Sequence, residues 1–493
     1  MKQEKPVKKS RPLLFFFQLL AALSSLAMFY FLYQAQILPV RLFGFIVILY
    51  LLLVALLVII SRKIVLLVIL LIFDILLNLA LSFVFYKYND YFSQIGKNET
   101  YQERYSLITL AASPLAETGR GEIIRIGILS SDPYKETVEQ YLQADASSRE
   151  GLLAKSLSPS DYLGFTDTIS LTSTLLNQTN TKEASSVRTI FISNGNLESL
   201  KDNNQEIWSK LHVLQEVSLK VTPKTIETTS HTSLDTPFTI YLSGIDNRDH
   251  TLPFAARSDV NLIMVVNPAQ HKILLLNTPR DFYVPLAMNG KLDKLTHAGL
   301  YGVNESIHTL ENFYGIKFNY YARINFDATS AIIDQLGGVD IHIPYVVNTY
   351  HGHRHYEPGN YHLNGDEALD FARERVSISW AGGDRERGRN QEKIITALLQ
   401  KLQQDKTNLT KLDQIFNSIA KNIQTNFTPD DLKYLVQKQL TNFSNWQIES
   451  IDVDGKADIT STYTYPEPKH FVWHPYQDTV NKAKAKLQEY LTQ

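Results

Sequence analysis

The chain has 493 residues, with 48 Lys and Arg against 50 Asp and Glu and a net charge of −2, so it lacks the basic surplus that holds a nucleic-acid backbone. It contains no cysteine, which excludes disulfides, thiolate metal sites and cysteine nucleophiles. The length allows a membrane segment plus two folded domains.

Residues 1–12 form a basic tail with Lys2, Lys5, Lys8, Lys9 and Arg11. Residues 13–86 hold three apolar runs, Leu13 to Gln34, Leu42 to Ile60 and Ile64 to Tyr86. Each has about the 20 residues that cross a hydrocarbon core. A cleavable signal would carry one short apolar core, so the pattern predicts a permanent three-helix anchor in the plasma membrane. Lys and Arg favour the cytoplasmic side. The tail and the Arg62-Lys63 turn are the basic connections, so the N-terminus lies inside and everything after Tyr86 lies outside. Asp74 and Asn78 sit within the third run. They read as a polar contact between helices, with Gln18 or Ser24 as partners, because no second ionisable residue forms a relay.

Residues 87–221 read as a connector and a small α/β accessory domain. Glu122–Leu129 and Arg188–Ser193 are strand candidates, and Asp132-Pro133 opens a helix running through Tyr141. No Gly-rich phosphate loop or carboxylate pair occurs here, which points to a scaffold or partner-binding role. Thr222–Pro237, rich in Thr, Ser and Pro, is the linker to the next domain.

Residues 238–400 carry the chemistry. Phe238–Ile245, Val260–Asn267, Lys272–Asn277, Phe318–Phe326 and Gly338–Ile343 read as strands. Helical patterns cover Ala298–Tyr314, Thr329–Leu336 with Asp327 as its N-cap, and Asn364–Arg373, which opens on a capping box. This alternation predicts a mixed β-sheet covered by helices. Asp246, Asp259, Arg280 and Asp281 follow or flank strands, where open α/β sheets bind ligands. Converging carboxylates make a site for Mg²⁺, whose shell substrate phosphates complete; solvated loop acids are the alternative. Arginine is the stronger signal. Arg373, Arg375, Arg385, Arg387 and Arg389 fall within 17 positions, and arginine grips phosphate bidentately. The interleaved Glu374, Asp384, Glu386 and Glu392 leave a solvated charged face as the other reading. The His351-Gly352-His353-Arg354-His355 tract reads as a solvent-facing loop, with metal binding as its alternative. Residues 401–493 read as helical, with Thr428-Pro429-Asp430-Asp431 as a helix start and a last helix from Gln477 to Leu491.

Together these motifs resemble the LytR-CpsA-Psr (LCP) family of Gram-positive cell-envelope proteins, and within it the streptococcal capsule-operon members. The resemblance covers the whole chain. It rests on Ser243-Gly244-Ile245-Asp246, Arg257-Ser258-Asp259, Thr278-Pro279-Arg280-Asp281, Lys294-Leu295-Thr296-His297-Ala298, Asn325-Phe326, Gly337-Gly338-Val339-Asp340, Arg373-Glu374-Arg375 and the Asp384–Gln391 run. It implies an Mg²⁺-dependent phosphotransferase outside the cell. The donor would be a polyprenyl-pyrophosphate-linked capsular polysaccharide and the acceptor a sugar hydroxyl of peptidoglycan. Asp246 and Asp259 would hold Mg²⁺, with Mn²⁺ as the alternative ion. Arg257, Arg280, Arg373, Arg375, Arg387 and Gln391 would surround the pyrophosphate, joined by Lys294, Arg385 and Arg389. Asp281 or a metal-bound carboxylate would accept the hydroxyl proton. Other capsule-assembly proteins are further partners that the resemblance allows. The competing readings are a membrane regulator of capsule-operon transcription, a lipid-glycan sensor and a pyrophosphatase. Direct DNA binding is disfavoured, since the folded part lies outside.

Overall fold

A computed structural model describes residues 11–60, 64–94, 101–113, 125–144, 158–177, 187–222, 226–229, 233–245, 252–374, 383–404, 415, 422–441 and 445–492. The chain forms two compact units, one of Met1–Lys97, Leu402–Ala420 and Phe427–Asn445, the other of the remaining residues.

In the first unit three apolar helices span Arg11–Ala35, Val40–Ile60 and Ile64–Gln94. Three membrane spans were expected. By length and composition two described stretches suffice to cross a membrane, Leu14–Ala35 and Val65–Asp90, while the middle helix offers the shorter Val40–Leu56. Asp74 does meet a neighbouring helix, but through Tyr50, whose hydroxyl donates to Asp74 Oδ1 at 2.7 Å. Asn78 Nδ2 donates to Tyr50 Oη at 2.9 Å and to Ser25 Oγ at 3.1 Å. Its contact with Ser24 Oγ is longer, at 3.4 Å. A third segment of this unit, Pro429–Thr441, opens on Thr428, where Asp431 N donates to Thr428 Oγ1 and Thr428 N to Asp431 Oδ2.

The second unit holds two larger sheets. The first contains β1 (Tyr101–Leu110), β2 (Ile126–Leu129), β3 (Tyr162–Phe165), β4 (Thr189–Ser193) and β5 (Leu211–Val221), in the order β3-β2-β4-β1-β5. The second contains β6 (Phe238–Ile245), β7 (Val260–Asn267), β8 (Lys272–Asn277), β9 (Tyr320–Asn325), β10 (Ile423–Thr425) and β11 (Gln447–Asp452), in the order β10-β9-β6-β7-β8-β11. Its pairings are mixed: β9 with β6 and β11 with β8 are parallel, and the rest antiparallel.

Every residue of β7 is buried, which fits its continuous apolar stretch Leu262–Val266; a strand covered on both faces needs no alternation. One covering helix, Val303–Tyr314, places Val303, Ile307, Leu310 and Tyr314 in the core, and the Gln477–Thr492 helix places Val480, Ala483, Leu487 and Tyr490 there. These spacings of three and four keep one helical stripe inward. The same hydrophobic cluster runs on into Tyr105, Leu107, Tyr134 and Phe191 of the first sheet and its helix.

Several expectations need correction. The C-terminal 401–493 region is not all helix: β10 and β11 are edge strands of the six-stranded sheet, and Gly455–Thr460 pairs with His470–Pro475 in a ribbon. Val339–Ile343 leaves the main sheet and pairs with Gly359–Leu363 instead. The helix after β9 is Phe326–Gln335, and its N-cap is Asn325, whose side chain accepts from Ala328 N, two residues before the expected Asp327. The segment Ala298–Tyr314 is broken at Gly302, which has φ +105 and a Phe254 ring where a Cβ would sit. The expected strand at Glu122–Leu129 is observed as Ile126–Leu129, and residues 121–124 lie outside the described residues. The capping box at Asn364 and Glu367 forms as expected.

Candidate active site

Several chain segments converge on a polar pocket of about 470 Å³ in the second unit. The loop between β6 and β7 delivers Arg257 and, at the start of β7, Asp259. The turn after β8 delivers Arg280. Two helices bring Arg373, Arg387 and Gln391.

The 252–257 loop is braced from several sides. Arg323, 2% exposed on β9, donates to Pro253 O at 3.1 Å and to Gln424 Oε1 at 2.6 Å, and Gln424 Nε2 donates to Leu252 O. Glu103 of β1 accepts the Phe254 N–H. Gly195, in the Asn194–Asn203 helix, lets that helix close on the loop, because a Cβ there would strike Ala255 O. The Thr278-Pro279-Arg280-Asp281 turn is held by Thr278 N donating to Asn261 O and Thr296 N donating to Arg280 O, each at 2.9 Å. A small second core fixes the helices. Ala368, Phe371 and Ala372 of one and Ile394 and Ala397 of the other pack with Ile341 and Ile343 of the Val339–Ile343 strand. Arg373 closes the first of these helices and lies over the Phe326 ring, 5.1 Å from its centre.

Electrostatics polarise the pocket. Arg280 Nη1 pairs with Asp259 Oδ1 at 2.5 Å, the side chains being 15% and 8% exposed. Burial pushes the Asp259 carboxyl up, but Arg280, Arg257 and Arg387 pull harder and bring it down to about 2. The Asp281 carboxyl is likewise lowered: burial raises it, and Lys294 foremost, then Arg280, outweigh that. Gln391 is 6% exposed, and its Nε2 has no hydrogen-bond partner among the described residues. A buried donor left over in this way fits an acceptor oxygen from a ligand. Four arginines facing Asp259 and one further carboxylate, Asp202, leave two positive charges. That matches a pyrophosphate diester, which carries one negative charge per phosphate.

Not every residue predicted for the site reaches it. Arg385 pairs with Asp454 Oδ2 at 2.5 Å, and Arg389 pairs with Glu386 at 2.6 Å and Asp452 at 2.8 Å. Helical phase explains the split. Residues 387 and 391 share one face of the Gly383–Gln404 helix and 385 and 389 another. Lys294 pairs with Asp281 at 2.8 Å, and neither lines the pocket. The rest of the Lys294–Ala298 motif is structural: His297 Nδ1 is 2.6 Å from Asp293 Oδ1, and Asp293 Oδ2 accepts from Thr464 N at 2.8 Å. Asp246 and Arg375 lie outside the described residues. No group of three or more His, Cys, Asp or Glu side chains suited to a metal ion occurs among the described residues.

Other lining residues were not expected at the site from the sequence. His351 of the histidine tract borders the pocket, while Arg354 of that tract pairs with Asp370. Asp202, Asn203 and Gln205 come from the accessory part, and Asp202 Oδ2 pairs with Arg257 Nη2 at 2.5 Å.

The LytR_cpsA_psr family model matches residues 201–482. Two similar proteins are named polyisoprenyl-teichoic acid–peptidoglycan teichoic acid transferase TagU. The one from Bacillus cereus is 32% identical over 254 residues, covering 51% of this chain and 79% of that protein. The one from Bacillus mycoides is 32% identical over 264 residues, covering 53% and 82%. The crystal structure of Bacillus subtilis TagV is similar with 26% identity and a TM-score of 0.45, over 52% of this chain and 98% of that one.

Proposed function

We propose that this chain, which belongs to the LytR_cpsA_psr family, is a membrane-anchored transferase that joins a glycopolymer from a polyprenyl-pyrophosphate carrier to peptidoglycan. The observation that carries this reading is the gathering of Arg257, Arg280, Arg373 and Arg387 with Asp259 and the leftover Gln391 donor in one pocket. The transferase names of its relatives support the reaction class. We assign capsular polysaccharide as the glycopolymer, from the capsule-operon resemblance. The Leu14–Ala35 and Val65–Asp90 helices support an anchor, and the basic N-terminal tail supports a catalytic unit outside the membrane.

In this reading the arginines bind both phosphates and receive the charge that develops on the departing phosphate. Arg373, stacked on Phe326, and Arg280, paired with Asp259, are pre-set, so little reorganisation opposes the step. Asp259 keeps Arg280 in place and stays anionic across the working pH range. A divalent cation fits the donor set: Mg²⁺ takes one or two carboxylates, and Asp259 lines the pocket as an ionised one. Asp246 and Asp259 would hold it, with Mn²⁺ able to replace Mg²⁺, and it would draw charge from the phosphate oxygens.

The test uses the full chain in detergent, a polyprenyl-pyrophosphate oligosaccharide, peptidoglycan fragments and Mg²⁺, beside Arg280→Ala and Asp246→Ala variants. Glycan joined to the acceptor is expected, lost in both variants and on chelation, and restored by Mg²⁺ or Mn²⁺. Donor bound without joined product or released polyprenyl phosphate would favour a sensor. Polyprenyl phosphate released without joined glycan would favour a pyrophosphatase.

A further inference from the structure

The Asn194–Asn203 helix ends on Asp202 and Asn203, and the short Gln205–Trp208 helix that follows begins with Gln205; all three line the arginine pocket. Asn203 Nδ2 donates to Ser199 O at 2.8 Å, and Gln205 Nε2 donates to Lys201 O at 2.7 Å. Those bonds, with Asn203 Nδ2 also reaching Ser199 Oγ at 3.3 Å, engage amide hydrogens within the accessory part, and each amide keeps an oxygen able to accept. Asp202 adds a carboxylate at a helix C-terminus, where the backbone is itself electronegative. The accessory wall is thus rich in hydrogen-bond acceptors, whereas Arg257, Arg280, Arg373 and Arg387 are donors only. A phosphate needs the donors. A nucleophilic hydroxyl needs the reverse, an acceptor for its proton.

The other carboxylates nearby are buried as well as paired. Asp259, held by Arg280, and Asp281, held by Lys294, are each 8% exposed, whereas the Asp202 side chain is 35% exposed. Asp202 pairs with Arg257, which is also one of the groups a pyrophosphate would engage. A phosphate that engaged Arg257 would compete with Asp202 for that guanidinium.

We propose that Asp202, with the amide oxygens of Asn203 and Gln205, forms the subsite for the acceptor's carbohydrate hydroxyl, and that Asp202 takes the hydroxyl proton. The proposal rests on the transferase reading above. The acceptor oxygen forms a bond to the glycan-bearing phosphorus. The bond from that phosphorus to the bridging oxygen breaks, and its electron pair leaves on polyprenyl monophosphate. The hydroxyl proton passes to the Asp202 carboxylate and is lost to water after the phosphodiester departs. The accessory part then supplies a side chain to the reaction, rather than acting as a spacer.

The test is steady-state transfer by the full chain in detergent, varying a polyprenyl-pyrophosphate oligosaccharide and a soluble peptidoglycan oligosaccharide independently. Removing a general base typically costs about 10²–10⁴-fold in rate. Asp202→Asn should therefore lower kcat by about 100-fold or more while the donor KM moves by less than about threefold, and should abolish the acid limb of the pH–rate profile. Asp202→Glu should restore part of kcat, and Asn203→Ala should raise the acceptor KM about tenfold, each with an unchanged melting temperature. A raised donor KM with kcat intact in Asp202→Asn would overturn the proposal and leave Asp202 as a clamp for Arg257. Wild-type rates in all three variants would overturn it as well. Absence of joined product from the wild-type chain would instead overturn the transferase reading itself.

Discussion

Replacing Glu103 by glutamine perturbs the loop that carries Arg257 through a single titrating group. Glu103 is 3% exposed on β1, and its carboxyl accepts the Phe254 N–H. Burial pushes the group up from 4.5 to about 8; the Phe254 bond pulls it down, Asp132 pushes it up and Arg323 pulls it down. Between those two values the folded chain holds a proton that the unfolded chain has released, so stability falls as pH rises. A tenfold change in proton affinity is worth about 1.4 kcal/mol, and the whole interval about 5 kcal/mol by pH 8. Glutamine keeps an oxygen for Phe254 and does not titrate. Urea midpoints of the full chain in detergent, read at pH 5, 6, 7 and 8, measure the effect. Glu392, raised by burial to about 7, slopes in the same direction, and His470, lowered by burial to about 4, slopes in the other. Both are present in both proteins, so the difference curve isolates Glu103. The two chains should be nearly equal at pH 5, with Glu103→Gln more stable by several kcal/mol at pH 8. Parallel curves would refute the argument, because the wild-type slope would then come from elsewhere.

The remaining predictions concern the pocket. Arg387→Ala should abolish transfer, whereas Arg385→Ala and Arg389→Ala should keep it within about threefold and cost about 1 kcal/mol or less, as partly exposed ion pairs do; parallel kinetics and melts check both. A Cβ at Gly388 would run into Asn277 Nδ2, so Gly388→Ala should destabilise by about 1–3 kcal/mol, read from denaturant midpoints, and weaken donor binding by displacing Arg387 and Gln391. Asp259 is depressed from 3.8 to about 2, so its contribution of about 2 kcal/mol is complete above pH ~4 and lost toward pH 2. Acid titration of wild type against Asp259→Asn should show that loss only in the wild type.

Much of this was legible in the sequence where local rules decide. The boundaries of β6 follow from its alternation and those of β7 and β8 from short apolar runs closed by polar turns, and the Asn364 capping box from its own spacing. The arginine run showed a phosphate-gripping composition, but treating it as one set ignored helical phase, which turns Arg385 and Arg389 toward Asp454, Asp452 and Glu386. Edge strands β10 and β11 were missed because their partners are far away in the chain: β11 pairs with β8, so that Gln447 lies beside Lys272. Their half-buried patterns have no local reason to be strands. Asp202 was hidden for a related cause. Lys-Asp-Asn-Asn-Gln reads as a solvated helix end until the fold sets it against Arg257. The Asp74–Tyr50 bond likewise depends on which helix faces which.

The most direct test of the central claim is the stoichiometry of products from the full chain, donor and peptidoglycan acceptor, followed by ³¹P NMR and mass spectrometry. The account predicts one phosphodiester joining glycan to acceptor for each polyprenyl monophosphate released, lost in Arg280→Ala and Arg387→Ala and kept in Arg389→Ala. No phosphodiester from the wild-type chain, or equal yields from Arg280→Ala, would contradict it.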